Sequence, residues 1–339
     1  MDGIPYEIED DSYYLFTSAE LKAREYEFVD RGRVERMLSA VDMDEFLKVL
    51  GETSHSAGIA DIKSSNSFEP VMLAGFGNMI SFLEERLKSE HKKIIFILFF
   101  EEFLHNLKIV LKSLLLEEDL GGLYLSLKYE YAQLMEAYRD EKYEEIESPI
   151  PEILEYIKKL LDETQKKDPR QLELSLEKFY TEIMLKTAES LDRKMMADYI
   201  RYKIDLINIE AIYRHMQLKI SGPFSGYLHE GGSLGLKIFT GLEGESMDYV
   251  VKELEKTGYA DVIIKGAQRL FSECSFSSFE RNRDLYFLDY FDTIKYSVSN
   301  LEKIFAFFLR KKIELTNLNI LHTGIRFNAD KSNLRCKVD

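Results

Sequence analysis

Tryptophan is absent from the 339 residues, and cysteine, proline and glycine are few, at 2, 6 and 18. Two cysteines, Cys274 and Cys336, exclude a disulfide framework and a four-cysteine zinc site, and are expected to be reduced thiols. So little glycine and proline leaves long stretches dominated by Leu, Ile, Glu and Lys, good helix formers apart from Ile. The longest apolar run, IIFILFF from Ile94 to Phe100, falls far short of the roughly 18 residues a bilayer span requires. The opening MDGIPYEIEDD is acidic and lacks an apolar signal region. These readings together predict a soluble intracellular protein, one able to sit on a membrane complex. Positive charge is also in deficit: 45 Lys and Arg against 60 Asp and Glu give a net charge of −15. That disfavours nucleic acid as a main partner, because phosphate binding needs a basic footprint, and none is expected here. It disfavours anionic lipid for the same reason, and leaves open a protein partner with basic patches.

The motifs of common chemistry are missing as well. There is no GxxxxGK[ST], GxSxG, HExxH or CxxC. GGSLGLK (231–237) lacks the phosphate-loop spacing and its final Ser or Thr. AGFGNM (74–79) is a Gly-x-Gly without a third glycine, and is expected to be a loop. The six histidines, His55, His91, His105, His215, His229 and His322, are scattered singly.

What the chain does contain is internal repetition. MDEFLKVLGETSH (43–55) and MDYVVKELEKTGY (247–259) share Met, Asp, Lys, Leu and Thr at matching places, 204 positions apart. Met43, Phe46, Leu47 and Leu50 follow the i, i+3, i+4, i+7 spacing of one buried helical face, as do Met247, Val250, Val251 and Leu254. Asp42 and Ser246 stand where helix caps belong, and Glu45 matches the reciprocal half of a capping box. Gly51 and Gly258 predict helix ends near Thr53 and Thr257. A second pattern is a helix carrying Asn between apolar residues, at 101–115, 202–216 and 310–324. It aligns Asn106, Asn208 and Asn317, which are 102 and 109 residues apart. Asp205 and Glu314 stand three before the second and third Asn, and Phe103 holds that place in the first. The unit therefore recurs about every 105 residues, too long a period for a solenoid. It predicts three helical domains at 1–120, 121–225 and 226–339, joined by LEEDLGGLYLS and the Gly/Ser/Pro-rich SGPFSGYLHEGGSLG. Further turns are expected at ESPIPE (147–152), before a helix starting near Ile153, and at 162–171. The charged run RDEKYEEIE (139–147) is expected to be a solvated helix face.

Asp205 and Asn208 lie on one helical face, as do Glu314 and Asn317. Their neighbours are apolar, so each Asn is expected to be buried and in need of partners. It either bonds to a neighbouring helix or loop and fixes how the bundle closes, or forms a polar contact at a protein interface. Recurrence in every copy favours packing. Glu52-x-x-His55 and Glu102-x-x-His105 match the spacing of bundle di-metal carboxylate sites. The counterparts of Glu52 and His55 in the other copy are Lys256 and Tyr259, which could not replace them as ligands, and Glu52 follows the expected helix end at Gly51.

Three stretches together resemble the C-type subunit of archaeal-type and bacterial V-type ATPases, a family that includes the d-type subunit of eukaryotic V-ATPases. YLFTSAELKAREYEFVDRGRVERML (14–38) resembles the family's opening Ala-x-Val-Arg-Ala-x-Glu helix through Ala19, Leu21, Lys22, Ala23 and Glu25. FLKVLGETSH resembles its Leu-x-x-Thr-x-Tyr segment, with His55 in place of Tyr; the 247–259 copy keeps the Tyr. The Asn helices resemble the Asp-x-x-Asn-Ile/Leu helices that end each of the family's three domains, with Phe103 replacing the first acid and Thr323 standing where the second copy has Arg214. The resemblance implies an all-α fold of three similar helical-bundle domains in a pseudo-threefold, funnel-like arrangement. It implies a component without catalytic residues, cofactor or metal, present once per complex. Such a component sits peripherally on the cytoplasmic face of the membrane, held there by protein partners only. Those partners are the proteolipid (c/K) ring and central-stalk subunits of the D and F type. It would transmit torque between them as ions move with ATP hydrolysis or synthesis. The competing readings of the residues are a soluble helical scaffold or adaptor, and a carboxylate-bridged di-metal enzyme using Glu52, His55, Glu102 and His105.

Overall fold

The computed structural model describes residues 6, 9–162, 168–264, 266 and 277–338. Every regular element among them is a helix, and no strand occurs. The local chemistry accounts for where the helices begin. At Met43–Leu50 the Asp42 carboxylate accepts from the Glu45 N–H at 2.9 Å, and the Glu45 carboxylate accepts from the Val41 N–H at 3.0 Å. The return bond of the capping box thus lands one residue before the cap. At Met247–Leu254 the Ser246 hydroxyl accepts from the Tyr249 N–H. The matching sequences then end in the same turn. Thr53 donates to the Leu50 carbonyl at 2.7 Å and Thr257 to the Leu254 carbonyl at 2.6 Å. Each threonine hydroxyl accepts from the backbone N–H two residues on, at His55 and Tyr259.

By contact the chain divides into two compact units, 1–86 with 246–339, and 87–245. Both Met-Asp helices belong to the first unit, and the first two Asn helices to the second. In the first unit the long helix Leu301–Arg326 is the axis. Helices Leu15–Arg24, Arg31–Ser39, Met43–Leu50, Glu69–Arg86, Ser277–Asp292 and Lys331–Val338 all pack on it. In the second unit helix Pro169–Glu189 takes that place, against Ile94–Leu98, Phe100–Leu116, Ile150–Asp162 and Lys194–Gln217. The apolar run Ile94–Phe100 is wholly buried there, no residue in it being more than 2% exposed. Among the described residues no helix is long and apolar enough to cross a membrane.

Three local expectations are corrected. AGFGNM lies within helix Glu69–Arg86 and is not a loop. Gly75 serves close packing, since a Cβ there would sit 2.6 Å from Leu315 Cδ1 on the axis helix. The helix expected near Ile153 begins at Ile150, because Pro151 fits a first turn that needs no N–H from it. The run 139–147 is a solvated turn: helix Tyr131–Asp140 stops within it, at a left-handed Glu141 (φ 54°). Around 162–171, helix Ile150–Asp162 ends and Asp168 caps Pro169–Glu189 by accepting from the Arg170 N–H; residues 163–167 lie outside those described. Cys274 does too.

A second glycine seats helix Lys331–Val338 on the axis. A Cβ at Gly324 would lie 2.1 Å from Leu334 Cδ2 and 2.8 Å from its Cγ. Leu334 is 5% exposed and has little room to yield. Gly324→Val is therefore expected to destabilise the protein by roughly 1–3 kcal/mol through overpacking. Amide exchange should quicken first across 331–338, and Leu334→Ala should restore part of the loss. Calorimetry with hydrogen exchange checks this.

Candidate functional site

The Asn helices are Phe100–Leu116, Lys194–Gln217 and Leu301–Arg326. In the first two the Asn is 1% and 0% exposed. It does the same thing in both. Asn106 Nδ2 donates to the Leu125 carbonyl at 2.8 Å, and the Leu125 N–H donates back to Asn106 Oδ1 at 2.9 Å. Asn208 Nδ2 donates to the His229 carbonyl at 2.9 Å, and the His229 N–H donates to Asn208 Oδ1 at 2.7 Å. A side-chain amide has a donor and an acceptor side by side, so it pairs with one residue's N–H and C=O as a neighbouring strand would. The gripped residues lie in the connections that follow the helices, where no regular ladder satisfies the backbone.

The acid three residues earlier extends the grip in the second copy. The buried Asp205 carboxylate accepts from the N–H groups of Ser233 and Leu234, at 3.0 to 3.1 Å. These amides belong to GGSLGLK. The glycine-rich loop presents its N–H groups as an anion-binding loop does, and the anion is the protein's own carboxylate. Gly232 makes this approach possible, since a Cβ there would fall 2.0 Å from Asp205 Oδ1. In the first copy Phe103 replaces the acid and packs against Phe96 instead, ring centroids 4.9 Å apart and the planes tilted by 45°. The loop gains a bond between the neighbouring His105 Nε2 and the Leu123 carbonyl at 2.9 Å.

The third acid points elsewhere. Glu314 Oε2 accepts from the Val29 N–H at 2.6 Å, and Oε1 meets His55 Nε2 at 3.0 Å and Lys311 Nζ at 2.6 Å. The His55 and Glu314 side chains are each 10% exposed. Burial pushes the Glu314 carboxyl up, but the His55 hydrogen bond, the Lys311 ammonium and the Val29 amide outweigh it and hold it below the ordinary carboxylate range. Asn317 is partly exposed and forms no hydrogen bond among the described residues. It lines a cavity of about 190 Å³ with Phe28, Val34, Ile313 and Leu321.

Of the residues singled out in sequence, Asn106, Asp205 and Asn208 face backbone in the second unit, and Glu314 and Asn317 share one face in the first. The di-metal alternative loses its ligands to other partners. Glu52 holds Arg36 through two bonds of 2.5 and 2.8 Å, His55 holds Glu314, and His105 holds Leu123. Among the described residues no group of three or more His, Cys, Asp or Glu side chains could hold a metal ion. Sequence reasoning missed the partners Leu125, His229, Val29 and the 231–234 loop. The one available signal was the Gly231–Gly232 pair, which opens a loop whose next two amides, of Ser233 and Leu234, hold the anion.

Residues 17–336 match the family model described as ATP synthase (C/AC39) subunit. No curated protein matches the chain.

Two predictions follow from this geometry. Asn208→Ala strands the buried N–H and C=O of His229, and should cost roughly 1–3 kcal/mol. Asn317→Ala strands nothing among the described residues and should shift the thermal midpoint little; the contrast is read by denaturation of both variants. The second prediction concerns pH. His229 is buried, and burial, with the charges of Lys178 and Lys108, pushes its imidazole down from 6.5 to about 4. The neutral ring is thus favoured in the folded state. Stability is complete above about pH 6.5 and falls as pH drops toward about 4, by roughly 2–4 kcal/mol. His229→Gln should flatten that slope in denaturant titrations across the same window.

Proposed function

The chain belongs to the ATP synthase (C/AC39) subunit family, and from that premise we propose that it is the non-catalytic rotor-coupling subunit of a V/A-type rotary ATPase. It joins central-stalk subunits of the D and F type to the proteolipid (c/K) ring and carries torque between them. The observation that supports this most is the family match across 17–336, nearly the whole chain. One copy serves each complex, on the cytoplasmic face of the membrane, attached through protein partners only. Its three repeats, 1–120, 121–225 and 226–339, form a pseudo-threefold funnel around the foot of the stalk.

The physical features fit such a part. A torque carrier must resist shear, and Asn106, Asp205 and Asn208 tie irregular connections to long helices through buried hydrogen bonds that are costly to break. Glu314 does so through a three-partner cluster, and Asn317 completes the set of repeat positions. A net charge of −15 suits basic surfaces on protein partners and turns away nucleic acid.

The test is to purify the tagged full chain from its own detergent-solubilised membranes and identify what accompanies it. The expected result is a proteolipid ring and central-stalk subunits, with one copy of this chain per ring. Soluble partners alone, without ring or stalk, would overturn the coupling role and favour the scaffold reading.

A further inference from the structure

A second cavity, of about 430 Å³, lies within the first unit. Helices Leu15–Arg24 and Ser277–Asp292 both pack on the axis helix Leu301–Arg326, and all three line it. Its volume falls within the roughly 300–1,000 Å³ of small-molecule sites. The floor is apolar and includes Leu21, Phe28, Leu288, Ala306 and Phe307. Leu21 is 4% exposed, whereas Leu285 and Arg310, which also line the cavity, are exposed. The cavity thus has a buried floor and a mouth open to solvent.

The rim carries four cations against three acids, a positive surplus in a chain of net charge −15. Three of the cations are spent. Lys22 pairs with Glu25 at 2.5 Å, Lys295 pairs with Asp292 at 3.2 Å, and Lys303 Nζ donates to the Ser297 carbonyl at 2.7 Å. Arg310 is not spent. Its guanidinium lies over the Phe28 ring, 4.8 Å from the centroid, and makes no hydrogen bond or ion pair among the described residues. The ring holds the guanidinium by its face and leaves the N–H groups at its edge free. Those N–H groups form a planar fork that matches a carboxylate. Asp289 is the one rim acid without a partner among the described residues. An inorganic anion would use the fork and leave the apolar floor wet. A neutral apolar molecule would use the floor and leave the fork unused. An anion with an apolar body uses both. One such molecule in a cavity is a different matter from adhesion to an anionic bilayer surface, which the net charge opposes.

We propose that this cavity binds a medium-chain alkyl carboxylate, its chain against Leu21, Leu288 and Phe307 and its carboxylate on the Arg310 guanidinium. The site stands on its cavity and rim alone and is independent of the coupling role.

The test is titration calorimetry of the full-length protein with decanoate and, separately, with decyltrimethylammonium, which keeps the chain and reverses the charge. Saturable binding of decanoate is expected. The cation should bind about 10-fold or more weakly, since it would meet Arg310 charge to charge. Arg310→Gln should weaken decanoate about 10-fold, the worth of a charge-assisted hydrogen bond. Asp289→Asn removes the unpaired acid of the rim and should tighten decanoate binding. Arg310 is exposed, so the thermal midpoint of Arg310→Gln should stay near that of the parent, which separates loss of binding from loss of fold. No saturable binding of decanoate below its micelle-forming concentration, equal binding of the two ligands, or undiminished binding by Arg310→Gln would overturn the proposal.

Discussion

One side-chain amide set against the N–H and C=O of a single residue is the interaction on which the second unit depends. Its connections are long, irregular and partly buried, and a buried backbone without a ladder must find its hydrogen bonds elsewhere. Asn106 and Asn208 supply both bonds at once from rigid helices, at 2.7 to 2.9 Å. Because the Asn is itself buried, the interaction is demanding in both directions. Either partner alone would leave polar groups stranded. Beside the second of these grips the Asp205 carboxylate adds a demand of its own, met only because Gly232 has no Cβ.

The copies show how a repeated device diverges under the same physics. The second keeps acid and amide together on one loop. The first gives up the acid, and Phe103 converts its place to aromatic packing against Phe96. The third keeps the acid but turns it to another strip of the chain. There Glu314 accepts from Val29 and meets His55, the residue that departs from tyrosine in the 43–55 segment. The departure and the redirected acid are two ends of one contact. In the other segment Tyr259 is retained and packs against Tyr286, ring centroids 5.4 Å apart.

Much of this was legible in the residues. Apolar spacing placed the Met-Asp helices, and Asp42 and Ser246 marked their starts, since caps are decided by a few neighbouring groups. The Asn positions stood out because a polar residue on an apolar face recurred at a fixed period. Other features escaped a local reading for one shared reason. The Gly-x-Gly at 75–77 reads locally as a loop, yet Gly75 lies in a helix whose closeness to Leu315 no local pattern reveals. GGSLGLK could be excluded as a phosphate loop, but the carboxylate that occupies its amides lies 28 residues away in sequence.

Sequence alone determined that the chain is helical, that it lacks the motifs of common catalysis and a bilayer-length apolar run, and that one acid–amide pattern recurs along it. Composition, periodicity and capping act over a few residues, and a linear string records them directly. Only the tertiary structure decided which backbone each Asn meets, that Glu314 serves Val29 and His55, and that Asn317 faces a cavity. Those outcomes depend on where the chain returns after a turn and on how closely two helices approach, to within the width of a glycine's missing Cβ.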